Sequence, residues 1–189
     1  MSLPLTSLSI NQGKITALSP QGEVLRVDTL KDGAHILCVH APYTAARAGL
    51  PAMPQWDVLE LFAFVNPATF CVPTITGLCD ALSLPRPESG EDACLSLQDC
   101  VAELLHTLRE EKGPEDIIVL AQMMRRAWPW ADVILKTLGA GPQQPDSTSS
   151  RRVFLKTTRD LPEWAEQPPA QPADFFPITA EGSITRLDE

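Results

Sequence analysis

Residues 56–84 read WDVLELFAFVNPATFCVPTITGLCDALSL, and their punctuation sets the architecture of the middle of the chain. Asp57 stands where a helix N-cap belongs, with Glu60 three residues on to complete a capping box. Leu59, Phe62, Ala63 and Val65 follow as an apolar stripe at helical spacing. Asn66-Pro67 ends that helix, because proline lacks the amide hydrogen and disfavours helix at the residue before it. A second helix starts at Thr74 or Thr76 and buries Leu78, Ala81 and Leu82. Just upstream, ILCVHAPYTAARAGL at 36–50 reads as a buried strand over 35–40. Its end delivers His40-Ala41-Pro42-Tyr43 into a helix running through Arg47.

Toward the N-terminus, 7–18 and 23–29 are apolar-alternating segments joined by the turn-forming Ser19-Pro20-Gln21-Gly22, a hairpin pattern. A third strand, 34–39, follows the Lys31-Asp32-Gly33 turn. Toward the C-terminus, 85–92 is a polar loop and 95–111 a strongly amphipathic helix with Leu97, Val101, Leu104, Leu105 and Leu108 on one face. Gly113-Pro114 ends it, 115–126 forms another helix, and Trp128-Pro129-Trp130 is a rigid elbow into a last helix at 131–138. Gly, Pro, Gln and Ser dominate 139–150, a linker or loop. A short returning strand is expected at 153–157, within 151–160, and the proline-rich acidic tail from 161 to 189 should be extended. Strands first and helices after give α/β or α+β.

The 189 residues are 44% hydrophobic, enough for one sizeable core over residues 1–138. Neither a charged-then-apolar leader nor an apolar run of about 18 residues is present, so no signal peptide or membrane span is expected. Five cysteines without a paired C-x-x-C suit a reduced cytoplasm. The net charge of −9 disfavours autonomous nucleic-acid binding, which requires cationic side chains on phosphates. Arg125-Arg126 and Arg151-Arg152 are the only dense basic spots and read as solvated pairs. Trp128, Trp130 and Trp164 read as packing anchors rather than a base-stacking platform.

Several of these motifs carry a family resemblance. The strand ending in His-Ala-Pro-Tyr-Thr at 40–44, D-x-L-E-L at 57–61, a following proline and G-L-C-D-A-L at 77–82 resemble the middle of a DnaQ-like (DEDD-type) exonuclease domain. The run 58–78 is similar, nearly word for word, to the N-terminal region of alphaproteobacterial DinG-like ATP-dependent DNA helicases. RDLPEWAEQP at 159–168 resembles the segment that precedes the motor in those proteins. The resemblance implies an α/β fold with an RNase H-like exonuclease-type sheet flanked by helices. It also implies a downstream helicase motor in cis, driven by ATP and Mg²⁺, through which DNA would be reached.

The catalytic set of that exonuclease family is degenerate here. Two-metal nucleases need several carboxylates to hold their ions. The D-x-E motif should fall near 9–13, where Ser9, Ile10, Asn11, Gln12 and Gly13 stand. Thr44 occupies the second aspartate's position. The third motif, H-x-x-x-x-D, aligns with Cys94 to Asp99, so one acid of four remains. Asp99 reads as a first-turn acid of the 95–111 helix, favoured by the helix dipole. Cys38 and His40 share one face of a strand, yet nothing at recognisable spacing supplies further zinc ligands. The pair reads as a buried cysteine beside a locally hydrogen-bonded histidine. No G-x-x-x-x-G-K-[ST] occurs, so no ATP site is expected in this chain. Catalytic, cofactor-binding and metal residues are therefore expected to be none, with Thr44, Cys94 and Asp99 vestigial. Two rival readings stand beside this one. The first is a working metal-dependent 3′–5′ exonuclease in which Asp28, Asp32, Asp57 or Asp80 folds toward Asp99. The second is a free-standing protein-interaction module.

Overall fold

The computed structural model describes residues 4–11, 13–30, 35–50, 56–143, 145, 148–150 and 153. Five strands form one mixed sheet: β1 (Thr6–Asn11), β2 (Lys14–Leu18), β3 (Val24–Leu25), β4 (Ile36–Cys38) and β5 (Trp56–Asp57). Their order is β3-β2-β1-β4-β5. β1 pairs antiparallel with β2, and β2 with β3, while β1–β4 and β4–β5 are parallel. Only β2 therefore runs against the rest.

Six helices flank the sheet: α1 (Ala41–Ala48), α2 (Val58–Val65), α3 (Ile75–Ala81), α4 (Gly90–Glu110), α5 (Glu115–Met124) and α6 (Trp130–Thr137). Side chains alternate across the strands. Leu8, Ala17, Ile36 and Cys38 pack on one face with Ala41 and Ala48 of α1. Leu5 and Leu37 join the larger core with α2, α3, α4 and α6 on the other. Ser7 and Ser9 also face α4: Ser7 Oγ accepts from the Gln98 amide at 3.1 Å, and Ser9 Oγ donates to the Gly90 carbonyl at 2.9 Å. Small residues on both partners let helix and sheet approach closely. A Cβ on Gly90 would lie 2.3 Å from Thr16 Oγ1.

One carboxylate organises the centre. Asp57 is 5% exposed and sits at the end of β5 as the N-cap of α2. Its Oδ1 accepts from the backbone N–H of Leu59 (3.0 Å) and of His40 (3.0 Å), and its Oδ2 from Ala41 N–H (2.6 Å). It thus caps α2 and receives the backbone at the start of α1 together. Its carbonyl accepts from the indole N–H of the fully buried Trp130 at 2.9 Å. Trp130 in turn meets the Trp56 ring edge-on at 4.9 Å, a favourable aromatic geometry.

Several sequence expectations are corrected. The segment 7–18 is a hairpin in itself, split by a turn with Gly13 at φ 80°. The α2 stripe is Val58, Leu61 and Phe62, with Ala63 exposed. No capping box closes on Glu60; its carboxylate accepts from the Trp128 indole at 2.8 Å. Ala81 is exposed at the end of α3. α4 begins five residues earlier than its apolar stripe suggests, because Ser89 and Asp92 form a reciprocal capping box. Thr148, Ser149, Ser150 and Val153 are helical, so neither a wholly irregular 139–150 nor a strand beginning at 153 is observed. The five apolar residues predicted for α4 are all buried; the Gly113 and Trp128-Pro129 breaks stand between helices, with Trp130 already the first residue of α6. Asp32, Arg151, Arg152, Trp164 and the 159–168 motif lie outside the described residues.

Candidate functional site

At the C-terminal ends of β1 and β4 the chain leaves in opposite directions. β1 turns back into β2 on one side, and β4 crosses through α1 to β5 on the other. Open sheets form crevices at such switch points, outside the carboxyl ends of the strands. A cavity of about 520 Å³ opens there. Ile10 and Asn11 close β1 beside it, Val39 and His40 follow β4, and Tyr43 and Thr44 come from α1. Pro73, Thr74, Ile75 and Thr76 enter from the start of α3, and Pro87, Ala93 and Leu97 from the approach to α4 and its first half.

The backbone explains how these groups are held. His40 adopts the left-handed conformation (φ 55°) as N-cap of α1, and its Nδ1 accepts from Tyr43 N–H at 3.3 Å. That bond requires an unprotonated Nδ1, so in this tautomer Nε2 carries the hydrogen. Thr74 caps α3 by accepting from Gly77 N–H at 3.1 Å. Gly77 is required because a Cβ there would meet the Val72 carbonyl at 2.3 Å.

The positions singled out from sequence separate in space. Thr44 lines the cavity and is 5% exposed, but its hydroxyl donates to the Val39 carbonyl at 2.7 Å. Cys94 is buried under the sheet, with its thiol 3.3 Å from the Thr16 carbonyl and 3.4 Å from Ser9 Oγ. Burial pushes that thiol's pKa up, against the lowering effect of the Ser9 hydrogen bond. Asp99 is exposed on the third turn of α4, beside Glu103 and His106 in a separate shallow groove. Its first-turn dipole reading fails, since Glu91 and Asp92 hold those positions. Cys94 and Asp99 both belong to α4, where five residues rotate the side chain by about 140°. They cannot face one site. The residues α4 presents to the cavity are Ala93 and Leu97.

Cys38 and His40 also part. The strand ends at Cys38, which is fully buried, while His40 turns outward to solvent. Burial first, and then the charges of Asp57 and Glu60, hold the Cys38 thiol far above its ordinary pKa.

Of the acids considered for a displaced nuclease site, Asp28 pairs with Arg26 and Asp80 with Arg86 on the surface. Asp57 is engaged with three backbone amides. Among the described residues the cavity's lining offers hydroxyls, an amide, an imidazole and a phenol, and no carboxylate. Hard divalent ions need anionic oxygens. The described residues do not fit a two-metal centre. No family model, curated protein or solved structure matches the chain.

The cavity was not legible as a site from sequence. Its members are scattered from Leu8 to Leu97 and carry no spacing signature. The nearest signal was the expectation, from the resemblance, that the D-x-E motif falls near 9–13 and the second aspartate's position at Thr44. Among the described residues no helix is long and apolar enough to cross a membrane.

Proposed function

We propose that this chain is a non-catalytic accessory domain of a DinG-like ATP-dependent DNA helicase. In this reading it is a degenerate exonuclease fold that docks on the motor and helps position DNA. The observation that carries the reading is the sheet. A mixed sheet of order β3-β2-β1-β4-β5, with β2 alone reversed and helices beside it, supports the α/β exonuclease-type fold that the resemblance implies. The cavity at the ends of β1 and β4 has Thr44 in its lining and hydroxyl, amide and imidazole groups rather than carboxylates among its described residues, which supports the degenerate reading. The motor would supply ATP and Mg²⁺ binding and the direct contacts to DNA.

A docking role also accounts for residues that folding leaves idle. Phe70 is 85% exposed and Val72 48%, and both stand in the stretch that resembles the helicases. The test is to mix the purified domain with a DinG-like motor in trans and measure association by calorimetry. Binding that Phe70→Ser weakens at least several-fold supports the reading. Absence of binding, together with unchanged DNA affinity and unwinding when the domain is removed from the full protein, refutes it.

A further inference from the structure

We infer that the cavity between β1, β4, α1 and α3 receives an uncharged aromatic ligand with a hydrogen-bonding edge. The inference rests on the non-catalytic reading of that site. Three observations carry it. The volume of about 520 Å³ falls in the range of small-molecule sites. The cavity sits at the switch point of the sheet, the place where open α/β sheets take ligands. Its lining pairs apolar walls, among them Leu8, Ile10, Val39, Ile75 and Leu97, with polar side chains of which, among the described residues, none is an acid, a lysine or an arginine.

The bonding inventory narrows the chemistry further. Ser9 and Thr44 already donate to the Gly90 and Val39 carbonyls, and Thr74 accepts from Gly77 N–H. The groups that remain to address a ligand are the Asn11 amide, the His40 Nε2–H, the Tyr43 and Thr76 hydroxyls, and the hydrogen of the Thr74 hydroxyl, which its cap bond leaves free. They offer both donors and acceptors and no compensating charge. Moving an ion off water into such a place is costly unless it is paired. An anion and a cation are therefore both disfavoured, although the chain's net charge of −9 would by itself attract the cation. A flat ring between the apolar walls, with an amide-like edge toward Asn11 and Thr76, meets these demands.

The test uses three probes of nearly one shape: indole-5-carboxamide, indole-5-carboxylate and indole-5-carboxamidine. Each is titrated into the ¹⁵N-labelled full chain and followed by amide chemical shifts. The carboxamide should move the signals of Asn11, Tyr43, Thr44 and Thr76 and bind at least tenfold more tightly than either charged analogue. Asn11 and Thr76 are exposed and half-buried, so substitution there leaves the fold intact. Asn11→Leu and Thr76→Val should each weaken the carboxamide several-fold, and Asn11→Asp should turn the preference toward the carboxamidine. Equal affinity for the three probes, or no shifts at the cavity at millimolar carboxamide, overturns the inference alone. Broadening of these same signals by submillimolar Mn²⁺ overturns both the inference and the non-catalytic reading beneath it.

Discussion

Replacing Asp57 by alanine tests the claim that one carboxylate joins two helix starts. The side chain accepts three backbone hydrogen bonds, from His40, Ala41 and Leu59, and is 5% exposed. Loss of an N-cap alone costs about 1 kcal/mol. Each further donor left without a partner costs roughly 1–3 kcal/mol, and His40 and Ala41 lie near enough to water to fall at the lower end. The sum for Asp57→Ala is about 3–4 kcal/mol. Asp57→Asn keeps one oxygen, which serves two amides at the Oδ1 position. It also sets an NH₂ group against Ala41 N–H, for a loss of about 2 kcal/mol by the same per-bond costs. Asp57→Ser can still cap α2 but is too short to reach α1, and should fall between Asn and Ala. Urea denaturation reads the series: with a slope of roughly 2 kcal/mol/M, the alanine variant's midpoint drops by 1.5–2 M or so. If serine equals aspartate, the bonds to α1 carry no weight. If asparagine equals aspartate, the two-oxygen geometry is not what matters.

Three further outcomes follow from the same contacts. Gly90→Ala should destabilise by roughly 1–3 kcal/mol, because its Cβ would enter the space of Thr16 Oγ1, 2.3 Å away; adding Thr16→Ala should recover most of that loss in thermal unfolding. Thr44→Asp, which sets an acid in the wall of the cavity, should cost on the order of 3 kcal/mol in urea denaturation, since a carboxylate cannot donate to the Val39 carbonyl. The thiols of Cys38, Cys94 and Cys100 are all raised in the fold, chiefly by burial. Above about pH 8.5 the unfolded chain releases these protons and the native one retains them. Stability is therefore full below that pH and falls as pH rises, with a slope approaching about 1.4 kcal/mol per pH unit for each thiol. Replacing all three with alanine or serine should flatten the alkaline limb of a stability–pH curve.

How far the fold could be read ahead depended on where the physics is local. The buried face of α4, the cap at Asp57, the Gly113-Pro114 stop and the tryptophan elbow depend on neighbours within a few residues, and each is where its pattern places it. The split between β1 and β2 was hidden because apolar alternation is found on both sides of the Gly13 turn, so 7–18 reads as one strand. The small buried Ser7, Ser9 and Thr16 suit the close approach of α4, an element too distant in sequence to reveal the turn. β5 has two residues and no pattern to find. The start of α4 was masked by prolines at 85 and 87 and by aspartate standing in the box position more often held by glutamate. The site was least legible, since the cavity exists only once β1, β4 and α3 are brought together.

The outer strands of the sheet, β3 and β5, are two residues long each. A partner that recognises a protein by adding a strand of its own needs a run of free amides and carbonyls along an edge. Strands this short offer almost none. Among the described residues the outer strands therefore favour contact through side chains over contact through backbone. Such contact should then respond sharply to single substitutions, and the sheet itself gives a neighbouring copy little on which to build a fibre.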